Sequence, residues 1–143
     1  MLFYIILGIG ATVIAFMAAY LGSKQKFYDK FAWWDRLIHF LSGILFVSFG
    51  VALSCGLMGL NRFHILLFSL ALSISLHVVW EIGEYAIDSL FKTNNQRWQK
   101  RSSAILHTPA TAIQPAGLVD TMNDTIVCVI GSLFACVVWL FVL

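Results

Sequence analysis

Three short stretches hold the residues able to do chemistry. Asp35 and His39 stand four apart; His77, Glu81, Glu84 and Asp88 follow at steps of four, three and four; Asp120, Asn123 and Asp124 come near the C-terminus. On a helix turning about 100° per residue, Asp35 and His39 share a face, and the four residues from His77 to Asp88 fall in a wedge of about 60°. Asp120 and Asp124 lie about 40° apart on the same scale. Glu and His residues three or four apart on facing helices converge on a bundle core and form carboxylate-bridged metal sites there. A mixed set of imidazole and carboxylate donors suits zinc, manganese or iron, whereas an all-carboxylate rim suits magnesium with a substrate phosphate. Six acids and two imidazoles cannot all carry charge in a dry pocket, so either a cation balances them or they share protons.

The elements that carry these residues are membrane spans. Of 143 residues, 60% are hydrophobic and 11% charged, and the mean hydropathy is +0.87, which excludes an ordinary soluble domain. Four stretches reach the roughly 20 apolar residues that a helical crossing needs: about 2–22, 35–57, 64–88 and 120–143. The expected fold is an all-α membrane protein, a four-transmembrane-helix bundle forming one domain over 1–143, with a long connection over about 91–119. Met1 to Leu21 has no basic leader and no small-residue cleavage pattern, so it is read as a span rather than a signal peptide. A net charge of +2 gives no footing for nucleic acid; the expected partners are membrane lipids, with room for a homo-oligomer. Cys55, Cys128 and Cys136 are scattered through the spans without metal-site or redox pairing and are read as small buried residues.

Loop charges orient the bundle. Lys24, Lys26, Lys30 and Arg36 share one side with Lys92, Arg97, Lys100 and Arg101, while Arg62 alone lies opposite. The basic side is therefore read as cytoplasmic, with both termini outside. The second span begins on that side, the third ends there and the fourth begins there, so all three polar stretches meet at one membrane face. His39, His77, Glu81 and Asp124 fall a turn or more inside, and Asp35, Glu84, Asp88 and Asp120 nearer the rim. Gly43, Gly50 and Ser54 on the second span, with Gly131 and Ala135 on the fourth, extend the same faces as close-packing surfaces. Trp33, Trp34 and Trp98 are read as interfacial rings on the basic side, with Tyr4 and Trp139 in that part opposite. A competing account makes the polar stripes a satisfied hydrogen-bond network between helices, with Arg36 and Arg101 pairing the rim acids and with Asp35 and Asp120 serving as helix N-caps.

Asp35-Arg36-Leu37-Ile38-His39-Phe40, then Glu81 and Glu84, then Asp120-Thr121 with Asp124 and Gly131, resemble the ordered motifs of small bacterial membrane proteins of the YjdF type. VanZ-like proteins look more distantly similar, with Cys128 standing where their pattern tends to have Asn. The resemblance implies the bacterial cytoplasmic membrane and four or more spans.

Three functions fit these residues. One is a metal-dependent intramembrane enzyme, a hydrolase or transferase acting on a lipid or lipid-linked phosphate. Its divalent zinc, manganese or magnesium would be held by His39, His77, Glu81 and Asp124, with Glu84 or Asp120 as general base and Asp35, Asp88 and Asn123 completing the polar pocket. Against it, the chain has no nucleophile motif, phosphate-cradling loop or H-E-x-x-H. The second is a cation or proton transporter or channel component, and the third an accessory subunit whose polar core fixes helix register. The topology is testable: a cysteine placed between Lys24 and Lys30 should resist an impermeant label added outside intact cells. Efficient labelling there would reverse the orientation.

Overall fold

Both prolines of the chain, Pro109 and Pro115, lie between the third and fourth spans. No span therefore carries a residue that breaks the backbone ladder, and a chain in lipid must satisfy its peptide groups internally. The computed structural model describes residues 2–31, 33–57, 60–92 and 116–143, and the elements among these are all helical. Helix α1 covers Leu2–Phe16 and runs on as π-helical turns over Met17–Lys24; α2 is the short Phe27–Lys30; α3 is Trp34–Leu57, α4 Arg62–Phe91 and α5 Ala116–Val142. Among the described residues, four segments are long and apolar enough to cross a membrane: Phe3–Lys24, Trp34–Cys55, Arg62–Phe91 and Gly117–Val142.

Local chemistry sets the ends. The Asn61 side chain accepts the backbone N–H of His64 at 3.0 Å, which caps α4 and starts it at Arg62, two residues before the expected 64. At its other end α4 passes 88 and stops at Phe91, where Lys92 turns left-handed at φ 57°. Helix α5 begins at Ala116, directly after Pro115 in the sequence. Asp120 is consequently a full turn inside α5 and not its N-cap, whereas Asp35 does lie in the first turn of α3. Of the connection expected over 91–119, residues 93–115 lie outside the described residues, and with them Trp98 and Arg101.

Helix α3 is the centre. It packs against both α4 and α5, which also meet each other, while α1 packs on α3 and stands clear of α4. The share of buried positions is 44% in the span of α3 and 6% in that of α1, so α1 is the peripheral member. The tightest contact joins α3 to α5: a Cβ on Gly43 would collide with the carbonyl oxygen of Cys128, and one on Gly131 with that of Phe40. A Cβ on Gly50 would come within 2.7 Å of the Ser69 Cα, which brings α4 against α3 in the same way. Buried hydroxyls are satisfied on the spot: Ser54 donates to Gly50 O at 2.8 Å, Ser69 to Ile65 O at 2.7 Å and Ser132 to Cys128 O at 2.8 Å. Ser73 and Ser132 then bond each other at 2.8 Å across the α4–α5 contact.

Toward the Arg62 end the interior turns apolar. Val47, Val51, Ile65 and Ala135 form one buried cluster with Ile44, Leu66 and Trp139 packed on it. Trp139 Nε1 donates to Ser48 Oγ at 3.1 Å, and Tyr4 OH to Ala52 O at 3.3 Å, so both rings tie helices together. At the opposite end Trp33 is exposed, as an interfacial ring would be, but Trp34 is buried against Phe27, with ring centroids 5.0 Å apart. Cys55 departs from expectation in the other direction: Cys128 is buried, Cys136 half-buried and Cys55 exposed near the end of α3.

The glycine contacts make a direct comparison. Gly131→Ala should lower the stability of the detergent-solubilised protein by about 1–3 kcal/mol or more, because the added methyl meets backbone that cannot swing away. Gly83→Ala, whose Cβ meets nothing within 4 Å, should leave stability unchanged or raise it by up to about 1 kcal/mol. Equal melting of the two variants would show that the α3–α5 contact is looser than described.

Candidate functional site

His39 lies one turn from Gly43 on α3, and Asp124 one turn from Cys128 on α5, so the Gly43–Cys128 contact sets them side by side. On α4, Ser69, Ser73, His77 and Glu81 recur every four residues along its buried line. Three helices thus deliver their polar residues to the end of the bundle where α3 and α5 begin and α4 ends.

His39 Nε2 lies 3.5 Å from Asp35 Oδ1 on its own helix and 3.8 Å from Asp124 Oδ2 on α5. Its ring meets that of His77 edge to face, with centroids 5.2 Å apart. His77 Nε2 stands 3.5 Å from Glu81 Oε1 and 3.2 Å from Thr125 Oγ1. The Thr125 hydroxyl donates to Thr121 O at 2.7 Å. Its single proton is committed there, so Thr125 accepts at His77 and Nε2 of that ring carries the proton; to hold a metal through Nε2, His77 would have to give up this bond. This bond orients the imidazole and selects its tautomer. Thr121 adds a side-chain hydrogen bond to Glu81.

Each expected residue now has a place. His39, His77, Glu81, Asp88 and Asp124 are buried, while Asp35, Glu84, Asp120 and Asn123 are half-buried. His39, His77 and Glu81 offer donor atoms that all lie within 4.8 Å of one another, and so do Asp35, His39 and Asp124. The two groups share His39. Glu84 accepts a hydrogen bond from Trp80 Nε1 at 2.8 Å, on the flank of the cluster, and it stays within electrostatic range of Glu81, His39 and Asp35. Asp120 is similarly placed toward Glu81 and Asp124. Asp88 is buried two turns beyond Glu81, nearer the end of α4. Among the described residues nothing ties Asn123 to the cluster. His64 is spent at the far end of α4, where its Nδ1 meets Asn61 Oδ1 at 2.7 Å.

Residue spacing alone passes over Thr121, Thr125 and Trp80. Thr121 and Thr125 are four apart and adjoin Asp120 and Asp124, so their phase does place them on the same side of α5. Their importance comes from the rotation of α5 against α4, which no spacing within one helix reveals.

The separations at the two rings decide what the cluster can do. At 3.5 Å and 3.8 Å the His–carboxylate pairs are longer than charge-assisted hydrogen bonds, which run about 2.7–2.9 Å. Ligand atoms held about 2.0–2.1 Å from a tetrahedral ion stand roughly 3.3 Å apart. Separations of 3.5 Å and 3.8 Å fit donors around an ion and also rings and carboxyls that share protons. Nitrogen and carboxylate oxygen together are the donors zinc, manganese and iron accept.

The chain belongs to a family described as "Predicted membrane protein (DUF2238)", whose model matches residues 3–143. That description supports a membrane protein and carries neither the YjdF-type nor the VanZ-like name. No curated protein and no solved structure matches the chain significantly.

The Thr125 bond can be isolated. Thr125→Val keeps the shape but removes the acceptor of a buried N–H, and should cost about 1–3 kcal/mol of stability. Thr125→Ser, which keeps the hydroxyl, should cost less. Thermal unfolding in detergent compares them, and equal losses would mean that the threonine methyl, not its hydroxyl, supports His77.

Proposed function

We propose that this member of a membrane-protein family is a divalent-metal-dependent enzyme of the bacterial cytoplasmic membrane, acting at the cytoplasmic leaflet on a lipid or lipid-linked phosphate. One observation carries the reading: donor atoms from three helices form two groups joined at His39, each drawn together within 4.8 Å. The proposed ligands are His39, His77 and Glu81, which form one of these groups, with Asp124 reaching His39 from the other, and zinc, manganese or magnesium are the candidate ions. A bound ion would polarise a phosphoryl or acyl oxygen and lower the pKa of a water. Glu84 and Asp120 flank the ligands on two different helices, where either is placed to take a proton from an attacking group. Basic residues at that end, Lys24, Lys26, Lys30 and Arg36 among them, favour anionic head groups. Kinship with YjdF-type proteins, and more distantly with VanZ-like ones, belongs to the same proposal and rests on the order of the motifs.

Transport through the chain fits less well. The polar line ends beyond Ser69 at the apolar cluster of Val47, Val51, Ile65 and Ala135, which fills the bundle toward its other end. A conducting path along these three helices would have to open that packed core.

Elemental analysis of purified protein is the test. Wild type should carry a stoichiometric divalent metal, and Glu81→Gln and His39→Ala should each weaken binding by about tenfold or more. Ligands bind when deprotonated, so loading should fall as the pH drops below the imidazole range, roughly 6.5 when unperturbed. If wild type holds no metal, and added zinc, manganese or magnesium raises its melting no more than that of the variants, the cluster is a proton-sharing network that fixes helix register.

A further inference from the structure

The two donor groups are unequal and share one residue. Asp35, His39 and Asp124 make up one and His39, His77 and Glu81 the other, with the donor atoms of each within 4.8 Å of one another. A neutral imidazole keeps one nitrogen lone pair free, so His39 holds one ion at a time. The groups are therefore alternative positions for a single ion, and not the halves of a two-metal centre. Burial ranks them. His39, Asp124, His77 and Glu81 are buried, and the half-buried member is Asp35, in the first turn of α3 at the end of the bundle.

Donor chemistry ranks them the same way. The outer group has one imidazole and two carboxylates, enough charge to balance a divalent ion leaving water, whereas the inner group has two imidazoles and one carboxylate, a nitrogen-rich set suited to zinc. Among the described residues no hydrogen bond reaches the Asp124 carboxylate, which is buried and faces His39 across 3.8 Å. An ion arriving there displaces nothing from Asp124. The inner group asks for a change first, because His77 Nε2 must leave Thr125 before it can bind an ion.

We infer that the outer group is the entry station of the site: an ion is taken up at Asp35, His39 and Asp124, then passes to His77 and Glu81 with His39 as common ligand. This rests on the metal reading above and names how the ion is admitted. The rings of His39 and His77 meet with centroids 5.2 Å apart, so the transfer is one short step in which the ion keeps a ligand throughout. Without one it would meet the full cost of a buried charge. Asp35 belongs to the path and not to the final position, so it speeds arrival and departure alike and leaves the equilibrium content unchanged.

Zinc alone is the probe. Purified protein in detergent is stripped of metal, and its uptake of zinc, then the release of that zinc to excess chelator, are followed in time. Asp35→Asn, which keeps a side chain able to cap the helix, should load and release zinc at least about tenfold more slowly, yet reach the wild-type content. Asp35→Glu keeps the charge and should restore much of both rates. Glu81→Gln should load as quickly as wild type and release faster. Unchanged rates in Asp35→Asn would overturn the entry station, and so would a lower final content with uptake as fast as wild type, which would make Asp35 a resident ligand. A wild type that takes up no zinc would overturn the metal reading, and the station with it.

Discussion

The contact between the backbones of α3 and α5 at Gly43 and Gly131 is the constraint on which the site depends. Neither position has room for a Cβ, since each would strike a carbonyl of the other helix. In lipid the tails outside are as apolar as the side chains inside, so helices gain by packing closely and by hydrogen bonding more than by excluding water. Two glycines supply that closeness, and the consequence reaches one turn further. With Gly43 against Cys128, His39 and Asp124 can only be neighbours. Any side chain that separated the helices here would also separate a buried imidazole from one of its two carboxylates.

Helix α4 completes the arrangement by running the other way. Gly50 receives Ser69, and from Ser69 every fourth residue of α4 returns to the same inner line, through Ser73 and His77 to Glu81. The polar groups change along that line. Serines near its middle close their hydroxyls onto carbonyls of their own or a facing helix, and leave nothing over. The imidazoles and carboxylates at its end stand 3.5 Å and 3.8 Å apart, wider than charge-assisted hydrogen bonds. Low dielectric makes the difference matter: a satisfied hydroxyl is inexpensive there, whereas several carboxylates around two imidazoles require a cation or shared protons. The middle of the line serves packing, and its end can serve chemistry.

Much of this is legible in the sequence because it depends on helical phase. The steps from His77 to Asp88 put four ionisable residues in one wedge, and a residue costly to place in lipid turns inward, so the aim of the stripe follows from its spacing. Gly43, Gly50 and Gly131 are readable as close-packing positions for a similar reason. Quantities that depend on neighbouring helices are not readable this way. The apolar sequence of α1 looks the same whether it is buried or faces lipid, and only the structure shows it as peripheral. Trp34 looks like an interfacial ring beside Trp33, yet it packs under Phe27 because the elbow of α2 folds back upon it. The place of Asp120 shifted because α5 begins at Ala116, immediately after Pro115, a turn before the apolar run that marks it in the sequence. Thr125 acquires its part from His77, 48 residues away, and no local pattern records that pairing.

The two ends of the bundle are unlike, and the difference follows from the side chains nearest each close contact. Beyond Gly50 the helices are held by Val47, Val51, Ile65 and Ala135, whose branched or small side chains fill the space between backbones. Beyond Gly43 they are held by polar atoms, through the 3.2 Å bond of His77 to Thr125 and the longer 3.8 Å approach of His39 to Asp124. An apolar cluster gains stability from every contact and has no use for a ligand. A polar cluster of several acids around two imidazoles gains from whatever balances its charge, a cation or shared protons. Its acids come from three helices whose other faces are apolar and exposed, so the bundle meets lipid on its sides while the ionisable groups stay inside.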